Sequence, residues 1–281
     1  MRHHLNAVIW ERADMDLKKY RERIGYSGPL RPDRATLDAL IKAQLRMVAF
    51  ENLDQQMGVP VSNSLISTYD KVVLRRRGGW CFELNTLFQW ALRKIGFEVS
   101  ALAGFVGQDK PTKNQKPDHM LLKVDCDGPL LVDVGFGGGM SASVPLLPGA
   151  ILQQPYRIAL TNERGGFIRY SERLSDTETG FWFTLENVEA SVFEPASRNL
   201  QTDPNSPFLR TLTAQRRYPG KHVILRGLVK KTIDAESIHE EILSSSQALV
   251  DCLKGDFDLT VPEIAACWTK LKQRHQDLFT G

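Results

Sequence analysis

The 281-residue sequence is poor in cysteine: it has four, Cys81, Cys126, Cys252 and Cys267, and no two form a C-x-x-C pair. That absence argues against a structural zinc site and a disulfide framework, and predicts free thiols in a reducing compartment. An excess of one charge sign is also missing, since Lys and Arg number 36 against 33 Asp and Glu, a net +3. So balanced a chain gives no reason to expect nucleic acid or an anionic membrane as a partner. No apolar run approaches the ~20 residues of a membrane span. The N-terminus has a short apolar patch, Ala7 to Trp10, but lacks the h-region and cleavage site of a signal peptide. A cytoplasmic protein is the expectation. Repeats and low-complexity tracts are absent, and 21 Gly and 14 Pro are ordinary, which excludes fibrous and linker-dominated chains. What is there is a globular mix, 42% hydrophobic and 25% charged, in a chain long enough to bury a core.

The first ninety residues read as helical. Leu37, Leu40, Ile41, Leu45 and Val48 recur at spacings of three and four, as do Leu84, Leu87, Phe88, Ala91, Leu92 and Ile95 in a second helix over 82–95 that Gly96 ends. After residue 97 the pattern changes to short β-rich segments over 97–105, 119–124, 130–134, 151–160, 167–173 and 180–185, separated by Gly, Pro, Asn and Asp. They predict a small antiparallel sheet or barrel. A polar stretch over 199–206 reads as a linker, followed by strand-like pieces over 209–215 and 222–229 and helices over 245–254 and 262–279.

Cys81 carries the chemistry of interest. It follows Gly78-Gly79-Trp80 at the start of the second helix, where unpaired N–H groups and a partial positive charge favour a thiolate, the nucleophilic form. A buried core thiol is the alternative. A nucleophilic cysteine needs a base. Of six histidines, His3 and His4 sit at the terminus and His222, His239 and His275 have no evident partner. His119 opens the strand His119-Met120-Leu121-Leu122-Lys123-Val124, either as that base or as an ordinary loop histidine. Asp133, set in Leu130-Leu131-Val132-Asp133-Val134, is costly there unless paired. A hairpin of the 119–124 and 130–134 segments brings it to His119, where it would fix the imidazole tautomer. A local cap is the other reading of Asp133.

Glycines 135, 137, 138 and 139 form a rich run, and Gly137 to Ala142 even fits a loose G-x-G-x-x-A. Pro145 and Pro148 forbid the helix a dinucleotide fold needs next, so the run is either a phosphate-approaching loop or a turn. No metal-binding motif is present; His239-Glu240-Glu241 is not H-E-x-x-H. Arg77, last of the Arg75–Arg77 triplet, is expected to pair with Glu51 and lock the segments around Cys81.

Arg77-Gly78-Gly79-Trp80-Cys81-Phe82-Glu83-Leu84-Asn85 resembles the active-site motif of the arylamine N-acetyltransferases. Phe50-Glu51-Asn52-Leu53-Asp54, Leu131-Val132-Asp133-Val134-Gly135-Phe136-Gly137 and the opening Arg23-Ile24-Gly25-Tyr26 resemble that family too, in the same order, over about residues 20–140. Trp80, where the family more usually has tyrosine, and Gln44, Val48-Ala49 and Asp118 depart from its pattern.

The resemblance implies an α+β papain-like cysteine fold. An N-terminal helical bundle (1–90) would carry the nucleophile, a central antiparallel β-barrel (91–200) the His and Asp, and a C-terminal α/β lid (201–281) would follow. It implies Cys81, His119 and Asp133 as the catalytic triad, and ping-pong acetyl transfer from acetyl-CoA to arylamines, arylhydroxylamines or hydrazines, as in xenobiotic metabolism. Phe50, Val106, Phe136 and Phe208 would bind the acceptor, and Gly135, Gly137 and Gly138 would approach coenzyme A, with no metal needed. The same scaffold would also serve an amide synthase acting on a polyketide thioester, a cysteine hydrolase, or a non-catalytic binder. A homo-oligomer stays open.

Overall fold

The computed structural model describes residues 15–112 and 114–279. His3, His4 and the apolar patch at 7–10 lie outside the described residues. Helices α1 (Leu17–Ile24) and α2 (Arg34–Met47) lead into a two-residue strand, β1 (Phe50–Glu51), and two short helices, α3 (Leu53–Met57) and α4 (Leu65–Tyr69). Asp16 and Asp33 cap α1 and α2 by accepting from Lys18 N and Thr36 N, satisfying donors that a helix start leaves open. The long helix α5 (Cys81–Ile95) ends at Gly96, whose φ of 107° is one a side chain would resist. Its Leu84, Leu87, Phe88, Trp90, Ala91 and Leu92 are all buried, at roughly 1.5–3 kcal/mol for each large side chain.

Eight strands then form one antiparallel sheet: β2 (Glu98–Val106), β3 (His119–Asp125), β4 (Pro129–Val132), β5 (Val144–Pro145), β6 (Gly149–Gln153), β7 (Tyr156–Asn162), β8 (Ile168–Leu174) and β9 (Thr177–Asn187). Their order is β5-β4-β3-β2-β9-β8-β7-β6. Alternation along the strands gives the sheet two apolar faces. Val99, Ala101, Met120, Leu122 and Val132 join the core of α1, α2, α4 and α5. Leu102, Leu121 and Leu131 instead meet Ile158, Tyr170, Phe181 and Phe183 from the other half of the sheet. One sheet sharing a core with itself is curled, but β5 and β6 do not pair. The result is a half-barrel within a mixed α/β fold, not the closed barrel expected.

Helices α6 (Glu194–Thr202) and α7 (Pro207–Arg210) precede a five-stranded sheet of order β1-β10-β11-β12-β13, with β10 (Thr213–Tyr218), β11 (Lys221–Arg226), β12 (Val229–Ile233) and β13 (Ile238–Ile242). Its apolar face packs on α8 (Ser246–Phe257) and on a 3₁₀ turn (Pro262–Cys267) that continues as α9 (Trp268–Phe279). β1 belongs to this sheet, so the first part of the chain is hydrogen-bonded to the last.

Three expectations change. The first half of the 199–206 stretch, to Thr202, is the end of helix α6, which has Pro195 in its first turn, where the missing N–H costs nothing. The 151–160 segment is two strands turned at Gln154-Pro155. The 209–215 segment begins in α7 and becomes a strand at Thr213. No described helix is long and apolar enough to cross a membrane.

Candidate active site

The turn before α5 is fixed by backbone pairing. Gly79 N donates to Ala49 O (3.2 Å) and Gly79 O accepts from Glu51 N (2.9 Å). A Cβ on Gly78 would lie 2.2 Å from Ala49 O. Neither glycine has a positive φ, so close approach, not an unusual turn, is what requires Gly78. Trp80 is fully buried, edge-on to Phe82 and Phe208 with ring centroids 5.3 Å away in each case. Its backbone N–H donates to Glu83 Oε2 (3.2 Å).

Beneath this turn lies a buried ionic cluster. Arg77 Nη2 reaches Glu51 Oε1 and Asp54 Oδ1, both at 2.9 Å, and Lys71 Nζ reaches Asp54 Oδ2 at 2.7 Å and Glu83 at 3.0 Å. The Arg77–Glu51 pair is the one expected; Asp54 and Lys71 enlarge it. Burial pushes the Glu83 carboxyl up to about 7, with Lys71 opposing. Burial also works against ionisation of Asp54, but Lys71 and Arg77 together hold it below its ordinary value.

Cys81 is the first residue of α5 and is buried. The N–H groups of Cys81, Phe82 and Glu83 precede the first intrahelical bond, Leu84 N to Trp80 O, and have no acceptor within the helix. His119 opens β3, is buried, and lies opposite Gly104, whose missing side chain leaves room for the imidazole. Phe181 and Phe136 flank the ring, with centroids 5.0 and 5.4 Å away. His119 Nε2 is 2.6 Å from Asp133 Oδ2, which leaves Nδ1 for Cys81. Burial works to lower the His119 pKa. Asp133, through charge and hydrogen bond, and the hydrogen bond to Cys81 outweigh it and raise the value to about 10.

Asp133 follows directly on β4, and its second oxygen accepts from Asn85 Nδ2 (2.9 Å) and Gly135 N (2.8 Å). Asn85, one helical turn beyond Cys81, also donates to Met120 O (2.6 Å) and accepts from Val134 N (3.0 Å). One amide thus ties the helix of Cys81 to the strand of His119 and to the segment of Asp133. The motif contained Asn85, but no role came with it. The readable signal was its position four residues from Cys81, on the same helix face.

The glycine run is fastened at close range. A Cβ on Gly135 would lie 2.6 Å from Cys81 Cα, and one on Gly138 2.3 Å from Glu172. Gly139 N donates to the same buried carboxylate (2.7 Å), as does Tyr170 OH (2.8 Å). A cleft of about 740 Å³ opens between the two sheets, lined by Val106, Phe136, Gly137, Gly138, Glu172 and His222 among others. Arg226, Lys231 and Glu240, the ion-pair partner of Lys231, also line it. Phe136 connects this cleft to the His119 ring. Gly135 packs on α5 and is not among the lining residues, nor are Phe50 and Phe208. Those two rings lie 6.2 Å apart beside Trp80, with Phe50 touching the glycine run at Gly137. His222, expected to stand alone, is buried with Nδ1 2.7 Å from Tyr156 Oη.

A model of the N-acetyltransferase family matches residues 33–266. An arylamine N-acetyltransferase of Mycolicibacterium smegmatis is 37% identical over 209 residues, 71% of this chain and 75% of that protein. One from Mycobacterium bovis is 34% identical over 262 residues, 89% and 91% of the two chains. The structure of Mycobacterium marinum arylamine N-acetyltransferase in complex with CoA is similar with a TM-score of 0.82 at 31% identity, covering 94% of this chain and 99% of that one.

Proposed function

Because the chain belongs to the arylamine N-acetyltransferase family, and is therefore an acyltransferase, we propose that it moves acetyl groups from acetyl-CoA to arylamines, arylhydroxylamines and hydrazines through a thioester on Cys81. One observation carries this reading: His119 stands against Cys81 while Asp133, held by Asn85, occupies its other nitrogen.

In the first half-reaction the Cys81 sulfur attacks the thioester carbonyl of acetyl-CoA. The developing oxyanion meets the unpaired N–H groups at the start of α5. The carbon–sulfur bond to coenzyme A then breaks, and the departing thiolate takes the proton from His119. In the second, the amine nitrogen attacks the acetyl-cysteine carbonyl and His119 accepts the amine proton. Collapse expels the Cys81 thiolate beside a protonated His119, the starting pair. Asp133 orients the ring and stabilises its charge throughout.

The cleft between the sheets suits both substrates. Phe136 offers a flat apolar surface next to His119 for an aromatic amine, with Val106 at the outer end and Phe50 and Phe208 as a supporting aromatic wall. Gly137 and Gly138 border the cleft, Gly135 holds the run against Cys81, and Arg226 and Lys231 supply positive charge for the phosphates of coenzyme A. A helix bearing Cys packed on strands bearing His and Asp is the papain-like arrangement. In that division residues 1–90 carry the nucleophile, 91–200 its partners, and 201–281 form a lid over the cleft.

Intact-protein and peptide mass spectrometry after mixing with acetyl-CoA alone tests the mechanism. One acetyl group on Cys81, discharged by an added arylamine or hydrazine, is the expected result. Release of coenzyme A with no acetyl-Cys81 formed, or hydrolysis of peptides in its place, overturns it.

A further inference from the structure

A second concavity, of about 730 Å³, shares no lining residue with the cleft at Phe136. It lies between the end of α1, one face of α2 and the β10–β11 turn, Tyr218 to Gly220. Its lining holds three cations, Lys42, Arg46 and Arg217, and no carboxylate. Lys42 and Arg46 stand four apart on α2, where like charges repel across one helical turn. Both are exposed, and neither side chain makes an ion pair or hydrogen bond among the described residues.

Arg217 is the sharper anomaly. It is 8% exposed. Nη2 donates to Gln154 O at 3.2 Å, while Nε and Nη1 have no partner. Its guanidinium lies over the Tyr156 ring, 5.1 Å from the centroid. The nearby Glu172 is no counter-ion in contact, because its oxygens are taken by Gly139 N, Tyr170 OH and Thr179. A buried cation with two unsatisfied nitrogens is expensive unless something anionic completes it. Ile24, Ala43, Leu45 and Met47 give the wall an apolar part, and Ser141 and Gln154 are uncharged polar members of it.

We propose that this groove is a second ligand site, for an organic anion: a carboxylate or phosphate monoester on a compact apolar body. Lys42 and Arg46 draw the anion in, and the Arg217 guanidinium turns from the Tyr156 face to bind it through two nitrogens. The apolar body lies on Ile24, Ala43 and Met47. A volume of this size suits a small organic molecule.

Calorimetric titration of the full chain with phenyl phosphate tests the site. The expected result is saturable one-to-one binding that is unchanged after alkylation of Cys81 and in the presence of saturating coenzyme A. Lys42→Glu/Arg46→Glu raises Kd about tenfold or more, ~1.4 kcal/mol, while its melting temperature matches the wild type. Both residues are exposed, so this variant keeps the test open even where Arg217→Gln fails to fold. Benzyl alcohol, which lacks the charge, and inorganic phosphate, which lacks the body, each bind at least about tenfold more weakly. Absence of saturation, displacement by coenzyme A, indifference to the double substitution, or equal binding of either control overturns the proposal.

Discussion

Asn85 Nδ2 donates to Asp133 Oδ1 at 2.9 Å while His119 holds the other oxygen of the same carboxylate. The aspartate is thereby fixed from two sides, and the imidazole inherits that orientation. Asn85→Ala is expected to lower kcat/KM for acetyl transfer by about 10–100-fold, the scale of losing a partner that orients a reacting group by hydrogen bonds. Because Met120 O and Val134 N also lose their partner, stability falls by about 1–3 kcal/mol for each group left buried and unpaired. Steady-state kinetics beside urea unfolding separate the two effects. A variant with full activity and an unchanged unfolding midpoint would show that the amide does neither job.

The His119–Asp133 pair sets a stability-versus-pH slope. His119 titrates at about 10 in the folded chain and near ~6.5 when unfolded. Its contribution is therefore complete below the unfolded value and is lost as pH rises through the folded one. In Asp133→Asn the folded value drops, so the loss of stability between about pH 7.5 and 10 becomes shallower than in the wild type. Glu83, displaced to about 7, acts below this window. Urea unfolding at stepped pH measures the difference, and parallel curves for the two proteins contradict it.

Arg77 joins two buried carboxylates, Glu51 and Asp54, and is the cation in contact with Glu51, whereas Asp54 also pairs with Lys71. Arg77→Ala strands a buried charge and is expected to cost about 3–5 kcal/mol. Lys71→Met belongs to the same cluster and has a cost of similar size. An unfolding temperature unmoved by Arg77→Ala removes the cluster from any structural role.

Gly135→Ala puts a methyl group 2.6 Å from Cys81 Cα and 2.8 Å from Asn85 Nδ2. Neither neighbour is a flexible side-chain tip, so α5 or the strand end must shift. Acetyl-Cys81 formation is expected to fall by about a hundredfold or more, as for any displacement of a reacting group on this scale. Rapid-quench mass spectrometry gives the rate. Gly96→Ala meets nothing within 4 Å and serves as a control that strains the backbone but not the site.

Cys81, His119 and Asp133 drew notice in the sequence because each broke a local pattern: a cysteine at a helix start, a histidine opening a strand, an aspartate set in an apolar run. Asn85 broke none, since a polar residue on a helix draws no notice until the strand behind it is known. Lys71 was equally silent among Val72, Val73 and Leu74, because its partners, Asp54 and Glu83, come from other turns. The α6 segment is mostly polar, and its narrow apolar face, Ala196 and Leu200 against the core, is joined by polar contacts such as Gln201 Oε1 with Val61 N (2.8 Å). β13 is exposed along its whole length, so no alternation marks it; register with β12 alone makes it a strand. Glu172 and Tyr156 reach the glycine run from strands distant in sequence, and only the curl of the large sheet brings them there.

β1 has one further consequence. Gly79, two residues before Cys81, pairs with β1, and β1 pairs with β10. Asn52 extends the link, donating to Thr211 O across 159 positions. During synthesis, Cys81 leaves the ribosome long before β10 does. The direct partners of the turn, Ala49 and Glu51, precede Cys81 in the chain, whereas β10, which pairs with the other edge of β1, emerges only with the last third. The support beneath the Cys81 turn is therefore the last part of its surroundings to be completed.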